Sequence, residues 1–413
     1  MKADLVIVGA GMVGSLLAAS LRDLELRIVL VDPERIAAPA PDALWEPRVS
    51  AISLASKNLL RHAGAWGRLP ESRLCAYDRM EVWEEEGNAA LRFRAEDIRT
   101  DHLGHLAENR VLQWALTECA RENPSVDYRS PSRMVALERF SAHWRVTLDD
   151  GETLDTALVV GADGAQSRVR DMAAIGLATW DYRQKGLVCT VRTALPHGRC
   201  ARQVFLRGGP LAFLPLAEPN TCSIVWSCGH DRADALLALD DAAFRRELGL
   251  AFGDVLGDVL WVDRRYAFPF IARHAERYVL PGLALIGDAA HTVHPLAGQG
   301  VNMGFLDAAV LAEEVAAAVQ RGLPIGHLSA LERYSRRRRP HNALTMHAMT
   351  GLERIYASVW PWLIQARNDG VTLVDRLPPL KQFFERQAAG LQGDLPRLAQ
   401  ACPDFGRTHR ATA

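Results

Sequence analysis

Residues 3–14 read Ala3-Asp4-Leu5-Val6-Ile7-Val8, then Gly9-Ala10-Gly11-Met12-Val13-Gly14, and this junction decides the fold. The first six residues form a short buried strand. The next six have the spacing G-x-G-x-x-G and open an apolar helical run through Leu21. Arg27-Ile28-Val29-Leu30-Val31 is a second buried strand, with Asp32 at its end. Strand, glycine turn, helix, strand and acid within about 30 residues make a dinucleotide-binding βαβ unit. The glycines let the backbone approach a pyrophosphate, and the helix N-terminus offers free N–H groups and partial positive charge. Asp32 is placed to accept hydrogen bonds from ribose hydroxyls. This unit alone does not separate FAD from NAD.

Working outward, the chain has 413 residues, 49% hydrophobic and 23% charged, with a formal net charge of −1. Such a length buries a large core over more than one domain. Near-neutral charge argues against a nucleic-acid partner. No apolar run approaches the roughly 18–20 residues that span a bilayer, and Asp4 interrupts any signal peptide. The expectation is a cytoplasmic protein, peripheral at the inner face of the membrane. Seven cysteines, none in C-x-x-C spacing, fit reduced thiols and no zinc framework. Only four of the 48 basic residues are lysines: Lys2, Lys57, Lys185 and Lys381. That scarcity disfavours chemistry that needs a catalytic amine.

Residues 33–50 read as a loop, 54–63 and 108–120 as helices, and 80–83, 144–148 and 157–160 as strands. From 185 to 270 short strands at 187–192, 202–206, 211–214 and 222–226 alternate with Gly/Pro turns, which suggests an antiparallel sheet. A buried strand at 283–286 and a helix at 304–320 follow. Residues 329–413 look mostly helical. The class is α/β. A Rossmann-like nucleotide-binding domain occupies 1–75, 100–180 and 275–330. An inserted antiparallel-sheet substrate domain occupies 76–99 and 181–274, and a helical C-terminal region 331–413.

Two more strand-to-glycine junctions join the first. Gly161-Ala162-Asp163-Gly164 follows the strand Ala157-Leu158-Val159-Val160. Gly287-Asp288-Ala289-Ala290-His291-Thr292-Val293-His294-Pro295 leads through Leu296-Ala297-Gly298-Gln299-Gly300-Val301-Asn302 into a helix. Asp288 suits a ribityl hydroxyl, and the backbone N–H groups from Gly300 to Met303 suit negative charge on a reduced flavin.

The three motifs in this order resemble those of the single-component FAD-dependent aromatic hydroxylases. The run from Gly287 to Ala309 resembles the signature of the ubiquinone-biosynthesis hydroxylases. Arg48-Val49-Ser50-Ala51-Ile52-Ser53, Met80-Glu81-Val82-Trp83, Arg202-Gln203-Val204-Phe205 and Phe213-Leu214-Pro215-Leu216 extend the likeness along nearly the whole chain. Together they look most like the 2-polyprenylphenol hydroxylase branch. The resemblance implies a GR2-type FAD fold with NAD(P)H as a transient external reductant. Oxygen is then transferred from a flavin C4a-hydroperoxide to the ring of a polyprenylphenol. It implies that Gly9, Gly11, Gly14 and Asp32 hold the adenosine half and that Arg48 contacts FAD. Asp163 serves FAD and NAD(P)H, Gly287 and Asp288 the ribityl or pyrophosphate region. Pro295 shapes the loop wall, and Gly298, Gln299, Gly300, Val301 and Asn302 approach the isoalloxazine. Where many relatives carry a phosphate-binding arginine this chain has Asn109, a weaker donor, with Arg110 beside it as a solvated residue.

His291 and His294 read as loop hydrogen bonding rather than a metal pair, since no carboxylate or thiol cluster accompanies them. Phe205, Phe213, Leu214, Pro215, Trp226 and Phe268 are candidates for an apolar substrate pocket; ordinary sheet core is the competing reading for each. No base for the phenol stands out. Residues 336–339 are four arginines, read as a solvated helix face, with anionic lipid or a partner as the alternative. Trp360 and Trp362 fit a membrane-facing or partner-facing surface as well as a core. Other ubiquinone-biosynthesis proteins are candidate partners. The competing functions are a later polyprenyl-benzoquinol hydroxylase, a prenyl-chain reductase and a non-catalytic FAD-binding assembly protein. A flavin halogenase is disfavoured because its lysine and tryptophan signature is missing.

Overall fold

The opening stretch folds as its pattern predicts, into β1 (Lys2–Val8), α1 (Met12–Ser20) and β2 (Ile28–Val31). The computed structural model describes residues 1–40, 43–85, 90–293, 300–357, 369, 373–374 and 377–400. Next come β3 (Val49–Ile52), α2 (Leu54–His62), β4 (Leu74–Tyr77), β5 (Arg79–Glu84), β6 (Ala90–Arg94), β7 (Gly104–Glu108) and α3 (Asn109–Arg121). Ser53 starts α2 by accepting from the Ser56 N–H, a helix-cap bond that satisfies one free donor. The chain then runs through β8 (Val126–Arg129), β9 (Met134–Arg139), β10 (Trp144–Leu148), β11 (Thr153–Gly161) and α4 (Arg168–Met172). The second half holds β12 (Leu177–Thr193), β13 (Cys200–Leu206), β14 (Gly209–Pro215), β15 (Thr221–Gly229), α5 (His230–Ala238), α6 (Asp241–Phe252), β16 (Val259–Val262) and β17 (Tyr266–Ala275). It closes with β18 (Val279–Leu280), β19 (Leu283–Leu285), β20 (His291–Thr292), α7 (Gly300–Gln320), α8 (Leu328–Ala357) and α9 (Pro378–Ala388).

One sheet runs in the order β18-β19-β11-β1-β2-β8, with β9 and β10 attached beside β11. Its centre is parallel, and Val8 of β1 lies opposite Gly161 of β11, which lies opposite Leu285 of β19. All three glycine motifs therefore leave the same carboxyl edge of one sheet, side by side. In an open α/β sheet that edge is where ligands bind. Both faces are covered, and Leu5, Ile7, Leu16, Leu17 and Leu158 have no solvent exposure.

The second sheet runs β20-β17-β12-β15-β14-β13-β5-β6, with β16 on β12. It is antiparallel except for the parallel pair β5–β13. Its expected strands are present, but sequence texture gave no sign of the two helices that cover it. Asp240 caps α6 through the Ala243 N–H, and Gly253, at φ +71°, ends it in the left-handed region. Helices α5 and α6 bury Leu236, Phe244, Leu248 and Phe252 against one sheet face. β12 is 17 residues long and runs through the expected boundary at 181. A small sheet β3-β7-β4 completes the fold.

No helix among the described residues is long and apolar enough to cross a membrane. The six described cysteines are free and buried. Burial pushes the thiols of Cys75, Cys200 and Cys228 up to about 11 and that of Cys222 to about 12. Cys402 and the Trp360 and Trp362 pair lie outside the described residues.

Candidate functional site

The first turn is built by close contact. Gly9 stands at φ +107°, and a Cβ on Gly14 would lie 2.0 Å from the Gly9 carbonyl oxygen. A Cβ on Gly11 would meet nothing within 4 Å. Two glycines thus fold the turn, and the third keeps its outer side open. No side chain caps α1, and its first turn carries no acid, so its N–H groups remain available to an anion. The Ala10 carbonyl is held from inside by Ser15 Oγ at 3.1 Å and by Gln113 Nε2 of α3 at 3.2 Å. Asp32 accepts from the Ala10 N–H at 2.6 Å and the Glu34 N–H at 2.8 Å, one on each oxygen. Each oxygen keeps a further acceptor position for a ribose hydroxyl. Burial raises the pKa of Asp32, and those two N–H groups work against the rise.

Beside it, Asp163 accepts from the Arg168 and Val169 N–H groups through Oδ2, at 2.8 and 3.1 Å, and so starts α4. Its Oδ1 is buried without a hydrogen-bond partner. Burial raises its pKa despite these donors. Asp288 is solvent-accessible, yet protein encloses it closely enough for desolvation to raise its pKa. His291, Arg48 and Arg273 pull that pKa back down. Arg48 is exposed, with its guanidinium 5.7 Å from the Phe268 ring centroid. Asn109 ties into the same segment: its N–H donates to the Arg48 carbonyl at 3.0 Å, and its Oδ1 accepts from Ser50 Oγ at 2.6 Å. Arg110 is exposed and paired with Glu46, as a solvated residue.

Gly287, at φ +59°, donates its N–H to Asp307 Oδ2 at 3.1 Å. Asp307, fully buried in α7, also accepts from His291 Nε2 at 2.6 Å, Arg338 Nε at 2.7 Å and Asn342 Nδ2 at 3.0 Å. Burial acts to raise its pKa, but His291 and Arg338 outweigh it and hold the carboxyl well below the carboxylate range. His291 is therefore engaged in loop hydrogen bonding. Sequence reading passed over Asp307, although an acid in the Ala- and Leu-rich run of α7 calls for a buried partner. It also read residues 336–339 as one solvated or lipid-facing run, and the structure corrects this. Arg336 and Arg339 are exposed, and Arg337 pairs with Glu313, Glu314 and Asp394. Arg338 is only 2% exposed. A helix distributes four successive residues around its circumference, and one of them points inward.

The Asn302 side chain is engaged within the protein. Its Oδ1 accepts from the Ser53 N–H at 3.0 Å, and its Nδ2 donates to the Ala51 carbonyl at 2.8 Å. The side chain thus ties α7 to the β3–α2 junction. Val301 packs partly against the core, and Gly300 begins α7. His294, Pro295, Gly298 and Gln299 lie outside the described residues.

The expected apolar pocket divides by strand alternation. Phe213 and Trp226 are buried against α5 and α6, with Phe213 stacked on Phe252 at 3.8 Å between centroids. Pro215 shares the register face of Phe213, opposite Cys222. These three belong to the core face of the sheet. Phe205 and Leu214 alternate to the other face, where Phe205 stacks on Tyr356 of α8 at 3.6 Å. Phe268 is exposed beside Arg48.

A family model described as FAD binding domain matches residues 2–348. The chain belongs to that family. The flavoprotein is 38% identical over 408 residues to the ubiquinone hydroxylase UbiL of Rhodospirillum rubrum, covering 97% of this chain and 93% of the relative. It is 37% identical over 388 residues to the 3-demethoxyubiquinol 3-hydroxylase of Escherichia coli, covering 94% and 98%. In fold it is similar to the p-nitrophenol 4-monooxygenase PnpA of Pseudomonas putida, with a TM-score of 0.78 at 20% identity over 95% of this chain and 99% of that one. The flavoprotein is thus an FAD-dependent monooxygenase of the ubiquinone-biosynthesis hydroxylase family. The open side of Gly11, the uncapped α1, the partnerless Asp163 Oδ1 and the enclosed Asp288 fit FAD laid across the carboxyl edge of the sheet.

Proposed function

We propose that this monooxygenase adds a hydroxyl group to the aromatic ring of a polyprenylphenol intermediate of ubiquinone biosynthesis, using O2 and NAD(P)H. The observation that carries the reading is the convergence of three glycine turns at one sheet edge, with the exposed Arg48 guanidinium beside Phe268. Gly9, Gly11, Gly14 and Asp32 receive the adenosine half of FAD. Asp163 and Asp288 receive the central hydroxyls and phosphates, and the start of α7 at Gly300 lies toward the isoalloxazine. Bound flavin supplies the activation of O2. The protein's part is to hold the ring, exclude water and orient the phenol. Leu214 and Phe268 are the apolar side chains that remain for a prenylated ring once Phe213, Pro215 and Trp226 are assigned to the core and Phe205 is covered by Tyr356. Peripheral membrane contact belongs to the same reading, because a polyprenyl tail partitions into the bilayer.

A second reading, hydroxylation of a later demethoxy-quinol, is favoured by the Escherichia coli relative. Turnover with a short-chain 2-prenylphenol and, separately, a short-chain demethoxyubiquinol distinguishes the two. The expected result is substrate-stimulated NAD(P)H oxidation and a product heavier by one oxygen atom, with little H2O2, for the phenol. Product from the quinol alone transfers the assignment to the later step. Reduction of the prenyl chain without O2 uptake defeats both.

A further inference from the structure

We propose that Asp307 and Arg338 act as a positioning pair for the cofactor turn, locking Gly287 and His291 in place and so setting where Asp288 stands. The proposal rests on the reading that Asp288 contacts FAD. The Asp307 carboxylate divides its labour between its two oxygens. Oδ2 faces the turn and takes the Gly287 N–H and His291. Oδ1 faces α8 and takes Arg338 and Asn342. Arg338 is fixed in turn by the Met303 carbonyl at 3.3 Å and Asn342 Oδ1 at 2.8 Å.

The turn has little room to move independently of this pair. A Cβ on Gly304 would lie 2.7 Å from Val13 Cγ2 and 3.3 Å from the Gly287 Cα, so α7, α1 and the turn are pressed together. His291 links the turn to the helix: it follows Asp288 by three residues and is bonded to Asp307 at 2.6 Å. Arg338, some 50 residues after Gly287 in sequence, thus reaches the turn through Asp307. A buried ion pair is a poor device for stability alone, because apolar replacement of both partners is often neutral or better. That property supplies the test.

Arg338→Met leaves Asp307 short of its cation and should lower both the melting temperature of the apoprotein and its FAD affinity. The paired replacement Asp307→Leu/Arg338→Met removes the lone charge and should regain most of the lost melting temperature. If the pair positions the turn, this double variant still binds FAD about tenfold more weakly. Its flavin absorption band is shifted, and it releases more H2O2 per NAD(P)H. Recovery of wild-type affinity and spectrum along with stability shows a purely structural pair and overturns the proposal. Arg338→Lys keeps the charge and loses the guanidinium fork. It should fold with intermediate affinity, and wild-type affinity and spectrum there would also count against positioning. Asp288→Asn, measured in parallel, separates the underlying reading: unchanged FAD affinity in that variant removes Asp288 from the site and the proposal with it.

Discussion

Three glycines in the first turn differ in what surrounds them, and each difference has a measurable outcome. Gly14 has the Gly9 carbonyl 2.0 Å from where a Cβ would stand, whereas Gly11 has nothing within 4 Å. Gly14→Ala should therefore lose stability by roughly 1–3 kcal/mol, the cost of overpacking. Gly11→Ala should melt with the wild-type protein but bind FAD more weakly, because its methyl group enters the space a pyrophosphate would occupy. Apoprotein melting curves and FAD titration check both, and a Gly11→Ala protein with unchanged FAD affinity would place the pyrophosphate elsewhere. At this scale the sequence was legible. The spacing of Gly9, Gly11 and Gly14 and the acid at Asp32 encode local geometry, and local geometry needs no partner from afar. Asp307 was less legible, because its meaning depends on Arg338, 31 residues away.

At the scale of elements, the second sheet separates two roles that its sequence runs together. Phe213 and Leu214 are neighbours in one strand and point to opposite faces. Alternation is visible in the sequence, but which face meets the flavin depends on α5 and α6, whose charged, Ala-rich sequence drew no notice. Phe213→Ala should cost about 3–5 kcal/mol of stability, as for a large buried aromatic, with the KM for the aromatic substrate unchanged. Phe268→Ala should leave the melting temperature near wild type and raise KM or H2O2 release. Steady-state kinetics beside thermal melts decide this, and a raised KM in a well-folded Phe213 variant would contradict the division of faces.

For the whole molecule, histidines buried in the neutral form, His274 among them, are a source of acid sensitivity outside the carboxylates, and one pair of them is clustered. Lys57 Nζ lies 3.0 Å from His102 Nε2 and 3.4 Å from His105 Nε2, between α2 and β7. Burial, reinforced by Lys57 and Arg61, lowers His102 to about 4 and His105 to about 3; Asp101 partly offsets this at His102. An unfolded histidine titrates near 6.5. Between those values the unfolded chain binds protons that the folded chain refuses, so stability falls as pH drops from about 6.5 toward 3. For the buried His105 the loss is at most about 1.4 kcal/mol per pH unit. His105→Gln should flatten the decline of melting temperature with acid, and curves parallel to wild type would rule this source out. The buried thiols carry a different consequence. A monooxygenase that loses part of its activated oxygen makes peroxide beside its own side chains. Peroxide attacks thiolates, not thiols. With Cys75, Cys200, Cys222 and Cys228 buried and titrating at about 11 to 12, almost none of each is thiolate near neutrality. The fold that cradles the oxidant also keeps these four thiols in the form that the oxidant attacks least.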